Sequence, residues 1–358
     1  MKFHAASRRG LGALSSPTSF LSIQQFLLLG LVVLSTPVAA SIGDRLPEFQ
    51  ECIRVCEREN CGPDAEHQTP IPLHRRLLLW TCPSECDYTC QHLITSSRLA
   101  QTTQSPPGSA SIPFPDRPIV QYHGKWPFHR FLGAQEPFSV IFSLGNLWAH
   151  YDGLYNKILP SIPSTYPLRK WYIWLAYVGM ASWFFSAVFH TRDFPVTEQL
   201  DYFAAGANVL YGLYYSAVRI FRLDKDTPRR QSLLRLWTTV CLLMYIGHVT
   251  YLKMWTWDYT YNMAANVAVG AVQNVLWSWY SWRRYMQQRK GWAAWPGIVV
   301  AWVLVAMSLE LLDFPPLWGA VDAHSLWHAG TIVPAVIWYN FLVRDAQDDM
   351  ARSERLKS

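Results

Sequence analysis

From about residue 136 onward the chain alternates long apolar runs with short polar loops, and each run approaches the ~20 residues that a helix needs to cross a bilayer. Seven runs lie near 136–156, 171–190, 200–221, 233–252, 259–281, 294–313 and 324–343. The first is the least regular, because Asn146, His150 and Asp152 interrupt it. Ahead of these runs the pattern differs. Residues 1–40 have a basic start (Lys2, Arg8, Arg9), an apolar stretch around Phe26 to Leu34 and the small-residue exit Pro37-Val38-Ala39-Ala40. This reads as a secretory signal peptide cleaved near Ala40, with an uncleaved anchor as the alternative. Residues 41–100 are polar and cysteine-bearing. Residues 101–135 read as a linker and juxtamembrane segment, rich in Ser, Thr, Gln and Pro up to 118. The expected architecture is an all-α membrane protein: a seven-transmembrane-helix bundle over 136–343, a small disulfide-rich luminal N-terminal region and a cytosolic tail over 344–358.

Composition supports the division. Hydrophobic residues make up 51% of the 358 positions, with 18 Trp and 18 Tyr, side chains that favour the edges of a bilayer. The net charge of +6 is not a nucleic-acid signal, because its Lys and Arg sit mainly in particular loops. Lys157, Arg169 and Lys170 follow the first run, Arg222, Lys225, Arg229 and Arg230 the third, and Arg283, Arg284, Arg289 and Lys290 the fifth. The tail carries Arg344, Arg352, Arg355 and Lys357, whereas the alternate loops hold only Arg192 and Lys253. The positive-inside rule then places the tail and the basic loops in the cytosol and the cysteine-rich region in the lumen.

Six of the seven cysteines, Cys52, Cys56, Cys61, Cys82, Cys86 and Cys90, fall in that region. An even number in a short luminal stretch implies up to three disulfides of undetermined connectivity. A zinc knuckle is the competing reading, which would fit a reducing compartment better. Cys241 lies within an apolar run and reads as a small buried residue.

The polar residues within the apolar runs carry the candidate chemistry. Ser186 and His190 are four residues apart, as are His324 and His328, so each pair shares one helix face. With the topology above, Ser186 and His190 end the second helix, Asp201 begins the third, and His324 and His328 begin the seventh. All five then lie near the luminal boundary. Three imidazoles with an open position are a usual way to hold a catalytic zinc, which lowers the pKa of a bound water to about 7. Asp201 is placed to take or orient a proton and Ser186 to hydrogen-bond a developing oxyanion, while Asp322 is a candidate acceptor behind an imidazole. Each residue alone has a structural reading: serines pack helices, and an aspartate favours a helix start. Asn146 and His150 share a face and read either as cavity lining or as a bridge between helices. His248 reads as a structural hydrogen-bonder, and Glu310 as a residue that pairs with a neighbour.

The pattern Ser186-x3-His190-x10-Asp201 followed by His324-x3-His328 resembles that of the CREST superfamily of seven-helix membrane hydrolases. Within it the chain most resembles the Per-one-like family of GPI-anchor lipid remodellers. That resemblance rests on the luminal cysteines, Gly124-Lys125-Trp126-Pro127-Phe128, Gln135-Glu136-Pro137-Phe138-Ser139 and Leu311-Leu312-Asp313-Phe314-Pro315-Pro316. It implies a zinc ion on His190, His324 and His328, with Ser186 and Asp201 around the activated water. It also implies hydrolysis of the sn-2 acyl ester of the GPI phosphatidylinositol, with GPI-anchored proteins as substrates. Membrane lipids are the other expected partners, and nothing in the sequence sets an oligomeric state. The implied compartment is the endoplasmic reticulum, with the Golgi as the alternative. Rival readings are a ceramidase-like amide hydrolase, a receptor or scaffold with a structural metal, and a metal transporter. A rhodopsin-type receptor is disfavoured, because the third run does not end in Asp-Arg-Tyr and the seventh has no Asn-Pro-x-x-Tyr.

Overall fold

The computed structural model describes residues 41–62, 70–103 and 119–355. The expected signal peptide and nearly all of the 101–118 linker lie outside the described residues, as do the last three positions of the tail. Ten α-helices of five residues or more occur among the described residues. Three belong to the N-terminal unit: α1 (Pro47–Asn60), α2 (Leu73–Leu77) and α3 (Cys82–Thr103). Seven follow: α4 (Pro137–Asp152), α5 (Arg169–Thr191), α6 (Pro195–Phe221), α7 (Pro228–Met254), α8 (Tyr259–Gln288), α9 (Trp295–Leu312) and α10 (Ala323–Arg355). The described residues are helical apart from loops and isolated bridges, as expected of an all-α protein.

Local sequence marks the helix ends. Proline opens α1, α4, α6 and α7, where its fixed φ suits the first turn and its missing N–H costs no hydrogen bond. Asp258 caps α8 by accepting from the Tyr261 backbone N–H at 3.0 Å. Beyond Asp152 the α4 helix widens into a π-turn over Gly153–Ile158. A Cβ on Gly153 would overlap the Tyr339 ring, so glycine permits the close approach of α10 there.

Four stretches are long and apolar enough to cross a membrane, the mark of a multi-pass membrane protein: α5, α7, α10 and the segment Gly291–Leu312 that contains α9. The other three helices of the ring unit, α4, α6 and α8, also bury polar side chains inward. Those are Ser143 and Asn146 on α4, Ser216 and Arg219 on α6, and Ser281 and Arg284 on α8. An average over all faces of such a helix understates how apolar its outward face is.

Six of the seven form a closed ring through the contacts α4–α5, α5–α6, α6–α8, α8–α9, α9–α10 and α10–α4, while α7 packs against α6 from outside. The ring encloses an aromatic core around Tyr172, Tyr215, Trp277, Tyr339 and Phe341. Helix α10 does not stop at the expected end of its apolar run near residue 343 but continues to Arg355.

In the N-terminal unit α1 and α3 are stapled by Cys52–Cys90, Cys56–Cys86 and Cys61–Cys82. The nested pairing joins the two helices antiparallel, and it rules out a zinc knuckle because all six thiols are consumed. Each crosslink closes a loop of a few tens of residues and alone would stabilise the unit by about 3–4 kcal/mol through the unfolded chain's entropy. Phe49, Val120 and Tyr122 fill the small space beside Cys90. The unit is tied to one end of the ring. Trp80 donates its indole N–H to the Gly133 carbonyl at 2.8 Å, and Arg130 pairs with Glu85. The His129 N–H donates to the Gly319 carbonyl at 2.7 Å, and the Trp126 indole donates to Asp313 at 2.9 Å.

Candidate metal centre

Successive helices run in opposite directions along the chain, so the last turn of α5 and the first turns of α6 and α10 lie at the same end. His190 closes α5, and His324 and His328 stand on consecutive turns at the start of α10. The three imidazoles face one another with ring centroids 4.5–5.1 Å apart. One nitrogen from each lies within 4.8 Å of the others.

In each imidazole the Nδ1 atom is held by an oxygen. His190 Nδ1 is 2.8 Å from Glu136 Oε2, His324 Nδ1 is 2.7 Å from Glu310 Oε2, and His328 Nδ1 is 3.0 Å from Ser143 Oγ. Carboxylate oxygens only accept, so His190 and His324 carry the proton on Nδ1. In the neutral rings the Nε2 lone pairs are then free, and His190 Nε2 and His324 Nε2 lie 3.4 Å apart, so both face the space between them. Zinc–nitrogen bonds of 2.0–2.1 Å in a tetrahedron require nitrogens roughly 3.3 Å apart. The donor set therefore fits a metal ion bound by three imidazoles and leaving a position open.

The outer residues are tightly held. Glu136 is almost fully buried and also takes Lys125 Nζ at 2.5 Å. Lys125 in turn reaches Asp193 at 3.0 Å. Burial works against the Lys125 charge, but Glu136 and Asp193 outweigh it and hold the ammonium above its ordinary value. The Glu136 N–H donates to the His190 carbonyl at 3.0 Å, which ties the start of α4 to the end of α5. On α10 the Asn146 amide donates to the His328 carbonyl at 2.8 Å.

The other residues singled out in the sequence divide. Ser186 is buried in this cluster, its Oγ 3.0 Å from Ser143 Oγ, so it reaches His328 through one intervening hydroxyl. Asp201 lies within electrostatic reach of His190 and His324, and its carboxylate makes no hydrogen bond among the described residues. Asp322 does not stand behind an imidazole. Its carboxylate accepts from the Ser325 N–H at 2.8 Å and its own N–H donates to Ser325 Oγ at 3.0 Å, so it caps α10. The carboxylates behind the imidazoles are Glu136 and Glu310. Asn146 bridges α4 to α10, and His150 joins Tyr339 Oη at 2.8 Å on a deeper layer of the ring. His248 packs beside Tyr261 and Gly206, away from the cluster.

Ser143 and Glu136 had a sequence signal that the reading of isolated pairs missed. Glu136, Ser139, Ser143 and Asn146 recur at intervals of three and four, a polar stripe on one face of α4, and all four are buried.

A family model described as the Per1-like family matches residues 72–346. The chain belongs to the Per1-like family. Among its relatives is "Protein PER1 homolog" of Schizosaccharomyces pombe, 38% identical over 329 residues, covering 91% of this chain and 94% of that one. The human "GPI-specific phospholipase A2-like PGAP3" is 36% identical over 337 residues, covering 93% and 97%. The Cricetulus griseus protein of the same name is 37% identical over 322 residues, covering 88% and 92%. No solved structure matches this Per1-like chain.

Proposed function

We propose that this Per1-like protein remodels GPI anchors by hydrolysing the sn-2 acyl ester of their phosphatidylinositol, with zinc held by His190, His324 and His328. The observation that carries the proposal is the convergence of three imidazoles, one nitrogen of each within 4.8 Å of the others, whose Nδ1 atoms are each held by an oxygen. The relatives' names, which specify a GPI-specific phospholipase A2-like protein, supply the substrate class. All seven long helices span the membrane in this reading. The cysteine-rich unit and the histidine cluster face the lumen, where GPI-anchored proteins display their lipid, and residues beyond 343 are cytosolic. The compartment is the endoplasmic reticulum or the Golgi.

Bound zinc supplies Lewis acidity toward the ester carbonyl and acidifies water near neutral pH. The chain's own groups do the rest. In the His328 tautomer that carries its proton on Nδ1, this N–H donates to Ser143 Oγ, the Ser143 hydroxyl donates to Ser186 Oγ, and the Ser186 hydroxyl proton is left to donate outward. Ser186 thus stabilises the oxyanion that develops as water adds to the acyl carbonyl. Asp201, a carboxylate without a hydrogen-bond partner beside the cluster, takes the proton of the attacking water and returns it to the departing glycerol oxygen. The products are a fatty acid and a lyso-GPI-anchored protein.

The test is mass spectrometry of GPI lipids from cells lacking the protein and rescued with wild type or His190→Ala. Wild type restores the remodelled species. The variant, inserted at normal abundance with its disulfides formed, does not. Full remodelling by the variant, or unchanged GPI lipids in the cells lacking the protein, would overturn the proposal.

A further inference from the structure

A small pocket lies where the disulfide-stapled unit meets the histidine end of the ring, lined among others by Trp80, Asp87, Lys125, Gln135, Arg192 and Asp193. Most of its charges are already satisfied. Asp87 takes His123 at 2.9 Å and the Gln91 amide at 2.9 Å, and Lys125 takes Glu136 and Asp193.

Arg192 is the exception. Among the described residues no ion pair joins it to a carboxylate. Its Nε–H is buried without a partner, and one long hydrogen bond of 3.4 Å runs from Nη1 to Gln135 Oε1. The guanidinium is held by aromatic faces instead, 4.1 Å from the Trp80 ring centroid and 4.7 Å from that of Phe194. Aromatic faces fix the plane of an arginine while leaving its N–H edge free, which is the arrangement for receiving an oxyanion in a fork. The Gln135 oxygen accepts from Arg192 and from the Asp193 N–H, which leaves the Gln135 amide N–H groups as further donors.

Position and size narrow the ligand. Arg192 lies two residues beyond His190, and the Lys125–Glu136–His190 chain runs directly from the pocket to the imidazole cluster. In a glycerophospholipid the carbon bearing the sn-2 ester is bonded to the carbon bearing the phosphate ester. A lipid with its sn-2 carbonyl at the cluster therefore has its phosphate only a few bonds away. The pocket volume of about 70 Å³ gives room for a phosphate group beside the guanidinium.

We infer that Arg192, clamped between Trp80 and Phe194, binds the phosphodiester of the lipid substrate and sets the sn-2 ester over the histidine cluster. The inference rests on the phospholipid reading above. It makes the cysteine-rich unit part of substrate recognition, since Trp80 belongs to that unit.

The test uses the full-length protein in nanodiscs in the His190→Ala background, which holds ligand without turning it over. Three ligands are titrated: short-chain phosphatidylinositol, diacylglycerol with the same chains, and inorganic phosphate. Phosphatidylinositol is expected to bind at least about ten-fold more tightly than diacylglycerol, about 1.4 kcal/mol. Arg192→Gln should erase that preference and Arg192→Lys should keep part of it. Competition by millimolar inorganic phosphate would identify a site for the free ion, and its failure a site for the lipid headgroup. Should Arg192→Gln not fold, the preference of the parent for phosphatidylinositol over diacylglycerol decides alone. Equal binding of the two lipids, or an Arg192→Gln protein that still prefers phosphatidylinositol, overturns the inference.

The two readings fail separately. Wild type that remodels GPI while Arg192→Gln in that background has an unchanged KM sinks the phosphate role only. Loss of phospholipid binding in Arg192→Gln beside a wild type inert toward GPI sinks the GPI assignment only.

Discussion

The two ends of the helical ring both bury ionisable side chains, and they solve the problem of burial in opposite ways. At the end away from the histidines, the most deeply buried cations and anions pair with one another. Arg219 forms a fork onto Asp345, with Nε–Oδ2 at 2.6 Å and Nη2–Oδ1 at 2.9 Å. Asp345 also accepts from Tyr280 Oη at 2.8 Å, Arg284 reaches Asp348 at 2.8 Å, and Arg222 reaches Asp349 at 2.6 Å. All three aspartates stand on the last turns of α10, so this network fastens α10 to α6 and α8. At the histidine end Glu136, Glu310 and the Ser143 hydroxyl each hold one nitrogen of an imidazole, and the three rings face one another. One end closes its buried charges on one another. The other brings three imidazoles together with the donor set of a metal site, and that difference separates a structural lock from a candidate site.

The largest expected effect comes from breaking the lock. Asp345→Ala leaves Arg219 buried without a counter-charge, which should cost about 3–5 kcal/mol and strongly reduce folded protein. Replacing Arg219 and Asp345 together with leucines should be far milder, and thermal unfolding of the purified protein in detergent distinguishes the two. Metal chelation should leave this end untouched.

The histidine end should respond in zinc affinity more than in stability. Glu136→Gln or Glu310→Gln weakens the acceptor behind an imidazole and is expected to lower zinc affinity about 10–100-fold. Competition against a fluorescent chelator measures this, and unchanged affinity in both variants would remove the carboxylates from the metal site. Asp322→Ala serves as the contrast at the same end. It removes a helix cap, so it should cost about 1 kcal/mol of stability and leave zinc affinity unchanged.

The smallest effect concerns the N-terminal unit above the histidine end. The hydrogen bond to Asp87, with Asp44 nearby, raises the pKa of the half-exposed His123 above 6.5 even though burial opposes it. A group whose folded pKa is raised stabilises fully below its unfolded value, and the contribution fades as pH climbs through the folded value. The melting-temperature gap between wild type and His123→Gln should therefore be widest near about pH 5 and close toward about pH 9.

Legibility followed the range of the interaction. The His324–His328 pair and the Ser186–His190 pair were visible because four residues make one helical turn. The seven apolar runs announced the helices α4 to α10 but not the 22-residue α3, and the even number of luminal cysteines announced a disulfide framework. The basic residues counted as loop charge had a second role that spacing does not reveal: Arg222, Arg284, Lys290 and Arg352 all pair with aspartates on α10. Asp322 was misplaced for a related reason. It stands two residues from His324, but on a helix start the nearest unsatisfied groups are backbone N–H donors rather than the imidazole.

By itself the sequence determined the helices of the seven apolar runs, the cysteine-rich unit ahead of them and the histidines at the end of one run and the start of another, because apolar run length and a four-residue period are local properties of the chain. Tertiary structure alone decided the disulfide pairing, the glutamates behind His190 and His324, the serine behind His328 and the lock at the far end. Those partners lie between 14 and 185 positions apart in the chain. At such separations nothing in the local pattern says which buried acid meets which base, and only the packing of helix on helix brings them together.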